Sequence, residues 1–432
     1  MAAAQTRARR VLFLVSFLDM LGVSMILPSL PQYVKSMDAS ALVFGLLMSL
    51  YGCLQFLAAP LVGSLSDRYG RQRVLLSCLA GTSLSYLVLA LSWNIYVVFM
   101  SRISAALFKH TLDVIKVAVT DGEPAKRRAM FIGRLNAAIN AGFIIGPTVG
   151  GYMSSIPNGF NYATLLTSVL FGVNYCLVSL FYCDVESWEA VKSVDEVAAT
   201  LKGREEDEWD CCVDWRHVLR NAWMKLRGIR DIVKASKSAQ TLLMARLLLT
   251  MAAILYRTHF SVLLEDKFGM DSKDRGFMLS YMGLLGFVGS FSVGSITKFV
   301  KSEMSVLQLS VIAYAMTLFA LSGATTIRTA YLILVPQVIS ISIIRASSLA
   351  LQTTLVSQEH VGTFMGVSSS LTSVSRTVGP ILSGWTYVAS IDGPAYGAAC
   401  LAAFSAGLLC FSPHFIKASS DVHGTDVEGK SK

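Results

Sequence analysis

Twelve times along this chain an apolar run of roughly 20 residues ends in a short polar break, and a helix of that length crosses about 30 Å of hydrocarbon. The runs are 11–34, 41–63, 74–93, 95–120, 130–153, 162–182, 239–264, 275–297, 304–324, 328–356, 363–389 and 394–415. Six come first, a segment of 56 residues (183–238) intervenes, and six more follow. Only 15% of the residues are charged and the mean hydropathy is +0.56, whereas a soluble domain carries about 25% charge. The expected fold is therefore an all-α integral membrane protein. It has twelve transmembrane helices in two six-helix pseudo-repeats, 1–182 and 239–415, with a cytoplasmic linker at 183–238 and a cytoplasmic tail at 416–432.

Orientation follows from the short loops, because those rich in Lys and Arg stay inside. Fourteen such residues fall in the N-terminus, 64–73, 121–129, 298–303 and the tail. Five fall on the other side: Lys35, Lys267, Lys273, Arg275 and Arg328. Both termini are thus expected to be cytoplasmic. The net charge of +9 is accounted for by this retention pattern, and no nucleic-acid partner is needed. The first run contains Asp19 and Pro28 in place of a small-residue cleavage site, so it is a span and not a signal peptide. No disulfide framework is expected, since Cys53, Cys78, Cys176, Cys400 and Cys410 lie in spans and Cys183, Cys211 and Cys212 in the linker. The lipid bilayer is a certain partner of such a chain; plasma membrane and organelle membrane are not distinguished.

Charged residues inside the spans are the candidate working groups, because each costs about 3 kcal/mol or more to insert unless it faces a cavity or a partner. Asp19 sits near the middle of the first span, ahead of Pro28 and Pro31, which should bend its outer end. The fourth span holds Arg102, Lys109, Asp113 and Lys116 at spacings that put all four on one face of a continuous helix. Asp113 would then pair with Lys109 and Lys116, leaving Arg102 without a local partner. In the fifth span Gly142, Gly146, Pro147, Gly150 and Gly151 provide small residues at helical spacing for close helix packing, with a bend at the proline. The linker ends in a basic amphipathic pattern from Trp215 to Ile232, expected to lie on the inner leaflet.

The two halves are copies. At an offset of 231, Gly45, Ser49, Gly52, Phe56, Val62, Gly63 and Ser64 meet Gly276, Ser280, Gly283, Phe287, Val293, Gly294 and Ser295. At an offset of 233, Phe131, Gly133, Gly146, Pro147 and Gly151 meet Phe364, Gly366, Gly379, Pro380 and Gly384. Transporters built from parallel repeats bind substrate between the halves near the midplane and work by rocking. The copies diverge in charge. Lys298 stands where Asp67 would recur, and the second half adds Arg246, Arg257, Arg345 and Arg376 within spans, with no acid to balance them.

Between the second and third runs the chain reads Gly63-Ser64-Leu65-Ser66-Asp67-Arg68-Tyr69-Gly70-Arg71-Gln72-Arg73. It is expected to be a hairpin whose turns are made by Gly63 and Gly70. This stretch resembles the loop motif between the second and third helices of the major facilitator superfamily. Gly142 to Gly151 resembles the motif of that family's twelve-span drug–proton antiporters, and Asp19 to Pro31 resembles the first helix of its tetracycline-efflux type. The likeness covers nearly the whole chain. It implies that Asp67 locks an inner gate against the start of the eleventh span, with Arg68, Arg71 and Arg73 completing the motif, and that Arg102 takes part in proton coupling. The pattern departs at Lys109, where glycine is usual, and at Asp113 and Lys116, where small residues are usual.

Together these features point to a secondary active transporter that moves a small organic solute by rocker-switch alternating access, with protons as the candidate coupling ion. The excess of Arg102, Lys109, Arg345 and Arg376 over Asp19 and Asp113 favours an anionic or zwitterionic solute. A facilitative uncoupled carrier and a non-transporting scaffold or sensor are the alternatives. Catalysis is not expected: no nucleophile–base or metal-ligand cluster appears, and His110, His259 and His360 are isolated. No cofactor or metal is implied, and the chain is expected to act as a monomer.

Overall fold

The computed structural model describes residues 2–121, 125–182, 237–300, 303–354 and 361–411. The linker up to residue 236, with its amphipathic pattern, and the tail lie outside the described residues, as do Cys183, Cys211, Cys212 and His360. Every described element is a helix. In order they are α1 (Ala2–Ile26), α2 (Leu30–Lys35), α3 (Ala41–Tyr69), α4 (Arg71–Ala90), α5 (Ile95–Phe108), α6 (Thr111–Thr120), α7 (Ala125–Ser154) and α8 (Gly159–Phe181). Then follow α9 (Lys237–Thr258), α10 (Phe260–Phe268), α11 (Ser272–Val300), α12 (Glu303–Ser322), α13 (Ile327–Thr354), α14 (Val361–Ala389) and α15 (Gly393–Phe411).

Local chemistry sets many of the ends. Ser40 and Asn94 cap α3 and α5 by accepting from the backbone N–H of Val43 and Val97. Pro28 follows α1, and Pro31 occupies the first turn of α2, where its missing N–H is tolerated. Gly70, with φ of 87°, is the one residue between α3 and α4, a conformation that favours glycine. The expected hairpin is therefore corrected: α3 runs on through Tyr69, so Gly63 lies within a helix and Gly70 alone makes the turn.

Among the described residues eight stretches are long and apolar enough to cross a membrane: Arg7–Lys35, α3, α4, α8, α9, α12, Ile327–Gln352 and α15. Helices α7, α11 and α14 are 30, 29 and 29 residues long, and each packs against the opposite half of the molecule, α7 on α11 and α14 on α3. Buried apolar side chains form two large clusters, one running from Leu12 to Tyr182 and one from Leu242 to Leu409. Each half has its own core.

Glycines set how closely helices approach within and between the halves. A Cβ on Gly142, Gly146 or Gly150 would run into α1 at Phe17, Ser24 or Met25. One on Gly151 would meet Ser272 and Gly276 of α11, and one on Gly384 would meet Ala41 and Leu42 of α3. Thr148 donates to Ser280 Oγ at 2.7 Å, and Ser49 Oγ donates to Thr377 O. Positions paired by the repeat thus make paired contacts: α7 on α11 repeats α14 on α3.

Candidate functional site

Between the halves lies a chamber of two lobes. The first, of about 280 Å³, is bounded by Leu27, α2 and α3 on one side and by α9, α10, α11 and α14 on the other, with Phe44, Tyr51, Gln55, Arg257 and Arg376 on its wall. The second, of about 440 Å³, is walled by α1 and α7 and by α9, α10, α11 and α13, with Asn140, Phe143, Arg257, Ser342 and Arg345 among its residues. Arg257, Phe260 and Leu279 belong to both walls. The lobes therefore share one partition.

Among the described residues three arginines open into this space, and no carboxylate lines either lobe. Arg257 sits one residue before the end of α9, and its guanidinium lies 5.2 Å from the ring centroid of Phe143 in the opposite half. Arg345 projects from α13 and Arg376 from α14, and all three side chains are solvent-accessible. Arg345 is near enough to repel both Arg257 and Arg376. Such a field attracts an anion and disfavours a cation.

Of the candidate site residues, Arg345, Arg376 and Pro380 line the chamber, joined by Arg257, which the sequence marked as an unbalanced charge. Asp19 is 0% exposed, and Lys109 Nζ donates to its two carboxylate oxygens at 2.5 and 2.6 Å. That pairing corrects two expectations. The fourth run is not one helix: it breaks at Lys109, with ψ of 59°, and His110, although no proline or glycine stands there. The break removes Lys109 from reach of Asp113 and turns it toward α1. Its freed carbonyl accepts from Gln55 Nε2 at 3.2 Å, as a backbone group in an apolar interior must be satisfied. Gln55 also lines the first lobe, so the buried pair lies one side chain behind the chamber wall. Asp113 points elsewhere, pairing with Lys116 at 3.2 Å and with His110 at 3.7 Å. Arg102 is buried over the Tyr86 ring at 5.0 Å, and its Nε and Nη2 have no hydrogen-bond partner.

At the Gly70 end, Asp67 is 69% exposed and pairs with Arg71 at 2.5 Å, within its own hairpin. Arg71 also reaches Ser66 Oγ at 2.5 Å and Asp121 at 3.2 Å. Arg68 stacks over Tyr69 at 5.4 Å, and Arg73 is exposed. Around Gly63, Gly133 and Gly366, all near this end, nothing stands within 4 Å of where a Cβ would be. In the second copy of the packing motif, Gly379 abuts Ile254 of α9 and Pro380 O abuts Gly45.

The opposite end is fastened by residues that the sequence did not single out as a site. Arg275, fully buried, donates to Glu265 and to Gln32, which crosses from the first half. Ser272 Oγ joins at 3.0 Å and Gln32 Nε2 donates to Glu265 at 3.4 Å. Lys35 pairs with Asp266 at 2.7 Å, and Tyr387 donates to the same carboxylate at 2.7 Å. His259 occupies the break between α9 and α10, with Nε2 at 3.0 Å from Ala41 O and Nδ1 at 2.7 Å from Ser383 Oγ. The charge of Lys35 and Arg275 at the ends of apolar runs was legible, but both lie in helices and not in loops; the partners of Lys35 and Gln32, more than 200 residues away, were not legible. Arg257 was legible as an unbalanced charge, but nothing in its spacing marked it as the residue common to both lobes. Among the described residues no group of three or more His, Cys, Asp or Glu side chains could hold a metal ion.

Comparison with known proteins agrees with this architecture. A sequence profile described as Major Facilitator Superfamily matches residues 12–380. The class H tetracycline resistance protein of Pasteurella multocida is 34% identical over 186 residues, which is 42% of this chain and 46% of that protein. The chain thus spans about half the length of that relative. The class E tetracycline resistance protein of Escherichia coli is 26% identical over 385 residues, 87% of each chain. The crystal structure of the human organic anion transporter MFSD10 (TETRAN) superposes with a TM-score of 0.64 at 20% identity, covering 94% of this chain and 99% of the other.

Proposed function

Because this chain belongs to the major facilitator superfamily, we propose that it moves a small organic anion across the membrane by rocker-switch alternating access, coupled to protons. It is a multi-pass membrane transporter and not an enzyme. The observation that carries the substrate reading is the chamber between the halves, with Arg257, Arg345 and Arg376 on its walls and no carboxylate facing them. Guanidinium groups stay protonated throughout the physiological range, and their forked donors suit carboxylates and similar anions. A zwitterion would bring its ammonium group against three cations, so the anionic class is favoured over the zwitterionic one.

With the twelve spans and cytoplasmic termini expected from the sequence, the Gly70 end would lie in the cytoplasm, the fastened end would face outward and the conformation would be inward-open. Proton coupling is supported by the Asp19–Lys109 pair. Rocking that parts it would leave a carboxylate in an apolar surround without its ammonium partner, and a proton is the smallest counter-charge available. Asp67, with Arg68 and Arg71, would latch the cytoplasmic end in the outward-open state by meeting the positive N-terminal end of α14.

The test is flux into proteoliposomes of the purified chain, using a panel of organic anions, cations and zwitterions with and without a pH gradient. Saturable anion flux that responds to the gradient and is lost in Arg257→Gln is the expected result. Flux confined to cations, or anion flux indifferent to Arg257→Gln, overturns the substrate reading. Anion flux indifferent to the gradient makes the chain an uncoupled carrier.

A further inference from the structure

We propose that the transported anion is a dianion, with two negative groups separated by an apolar stretch, one seated in each lobe of the chamber. This rests on the anion reading above and deepens it. The two arginines that are not shared line different lobes: Arg376 belongs to the first only, and Arg345 to the second only. Each has neutral polar company in its own lobe. Tyr51 and Gln55 stand with Arg376, and Asn140 and Ser342 with Arg345. Between them, the partition consists of Phe260 and Leu279 with the guanidinium of Arg257.

That order of surfaces, cationic, apolar with one cation, then cationic, is complementary to an extended molecule charged at both ends. An inorganic anion or a single phosphate ester would call for several donors converging on one point, and Arg345 and Arg376 do not share a lobe. A monoanion would leave two of the three cations uncompensated, with Arg345 repelled by both of the others. Closing the chamber around them weakens the screening of that repulsion, so it opposes the closure that transport requires. A dianion leaves one, and Arg257 is already held over the Phe143 ring across the interface. The third cation therefore has a neutral aromatic face to rest on and does not need a third negative group.

The experiment uses the full chain in detergent and in proteoliposomes, with α,ω-dicarboxylates of four to ten carbons set against monocarboxylates of the same length. Binding is read by thermal shift and transport by counterflow of the radiolabelled acid. The expected result is a dicarboxylate affinity at least about tenfold above that of the length-matched monocarboxylate, the scale of one charge-assisted pair. Arg345→Gln and Arg376→Gln should each erase that preference, costing the dicarboxylate about tenfold more affinity than they cost the length-matched monocarboxylate. The wild-type comparison needs no variant, and monodispersity of each variant shows that it folds. Equal affinities for the two series, with Arg257→Gln abolishing both, overturn the dianion and leave the anion reading intact. Binding of neither series overturns the anion reading as well.

Discussion

Gly151 and Gly276 meet across the two halves with so little room that a Cβ on either would stand 3.0 Å from the other's Cα. The repeat makes the same meeting a second time, between Gly384 and Gly45. The halves are therefore in near backbone contact at two related points, and closure of this end depends on the absence of side chains there. Gly151→Val should wedge the contact apart, at a cost of about 1–3 kcal/mol for overpacking. Ser261, which donates to Pro28 O at 2.5 Å across the same end, reports the opening: as a Ser261→Cys probe it should be labelled several-fold faster in the Gly151→Val background. Unchanged labelling would show that the contact is not what keeps this end shut.

The pairing of Asp19 with Lys109 predicts a thermodynamic signature. Removing one member strands a buried charge, which costs about 3–5 kcal/mol, whereas removing both is close to neutral. Asp19→Asn and Lys109→Met should each lower the midpoint of thermal unfolding, and the double variant should recover most of the loss. Flux of Asp19→Asn should also lose its response to a pH gradient. Persistence of a gradient-driven flux in that variant would remove Asp19 from coupling, while a strictly additive double variant would mean that the pair is not a closed electrostatic unit.

Arg275 ties α10 and α11 to Gln32 of the first half from a fully buried position. Its replacement by Gln leaves Glu265 without its cation and loosens the crossing to α2. Hydrogen exchange should rise in 28–41 and 259–275 and stay unchanged around Gly70. Uniformly raised exchange would instead report global destabilisation, and no rise at all would show that the network does not hold the halves together.

Asp67 offers a contrast, because in this conformation it is largely exposed and pairs within its own hairpin. Such a pair is worth at most about 1 kcal/mol, so Asp67→Ala should barely change the unfolding midpoint. A role as a cytoplasmic latch in the opposite state nevertheless requires transport to slow by about tenfold or more, the equivalent of 1.4 kcal/mol. Transport at the wild-type rate would leave the motif with a role in topology alone.

The sequence by itself determined what the solvent demands of a chain in lipid: long apolar runs, arginine-rich short loops, and two copies of one pattern at offsets of 231 and 233 residues. Helical periodicity also marked glycines 142, 146 and 150 as a packing face, because a period of 3.6 states which side chains share a side. Periodicity does not state what that side meets. Only the tertiary structure broke the fourth run at Lys109, since the compensation for that break, Asp19 and Gln55, comes from 90 and 54 residues away. It likewise decided that Arg257, Arg345 and Arg376 look into one chamber while Lys109 is neutralised behind its wall. A count of intramembrane charges treats the four alike. Burial and the partner across the helix interface separate them, and both come into being only when the halves pack.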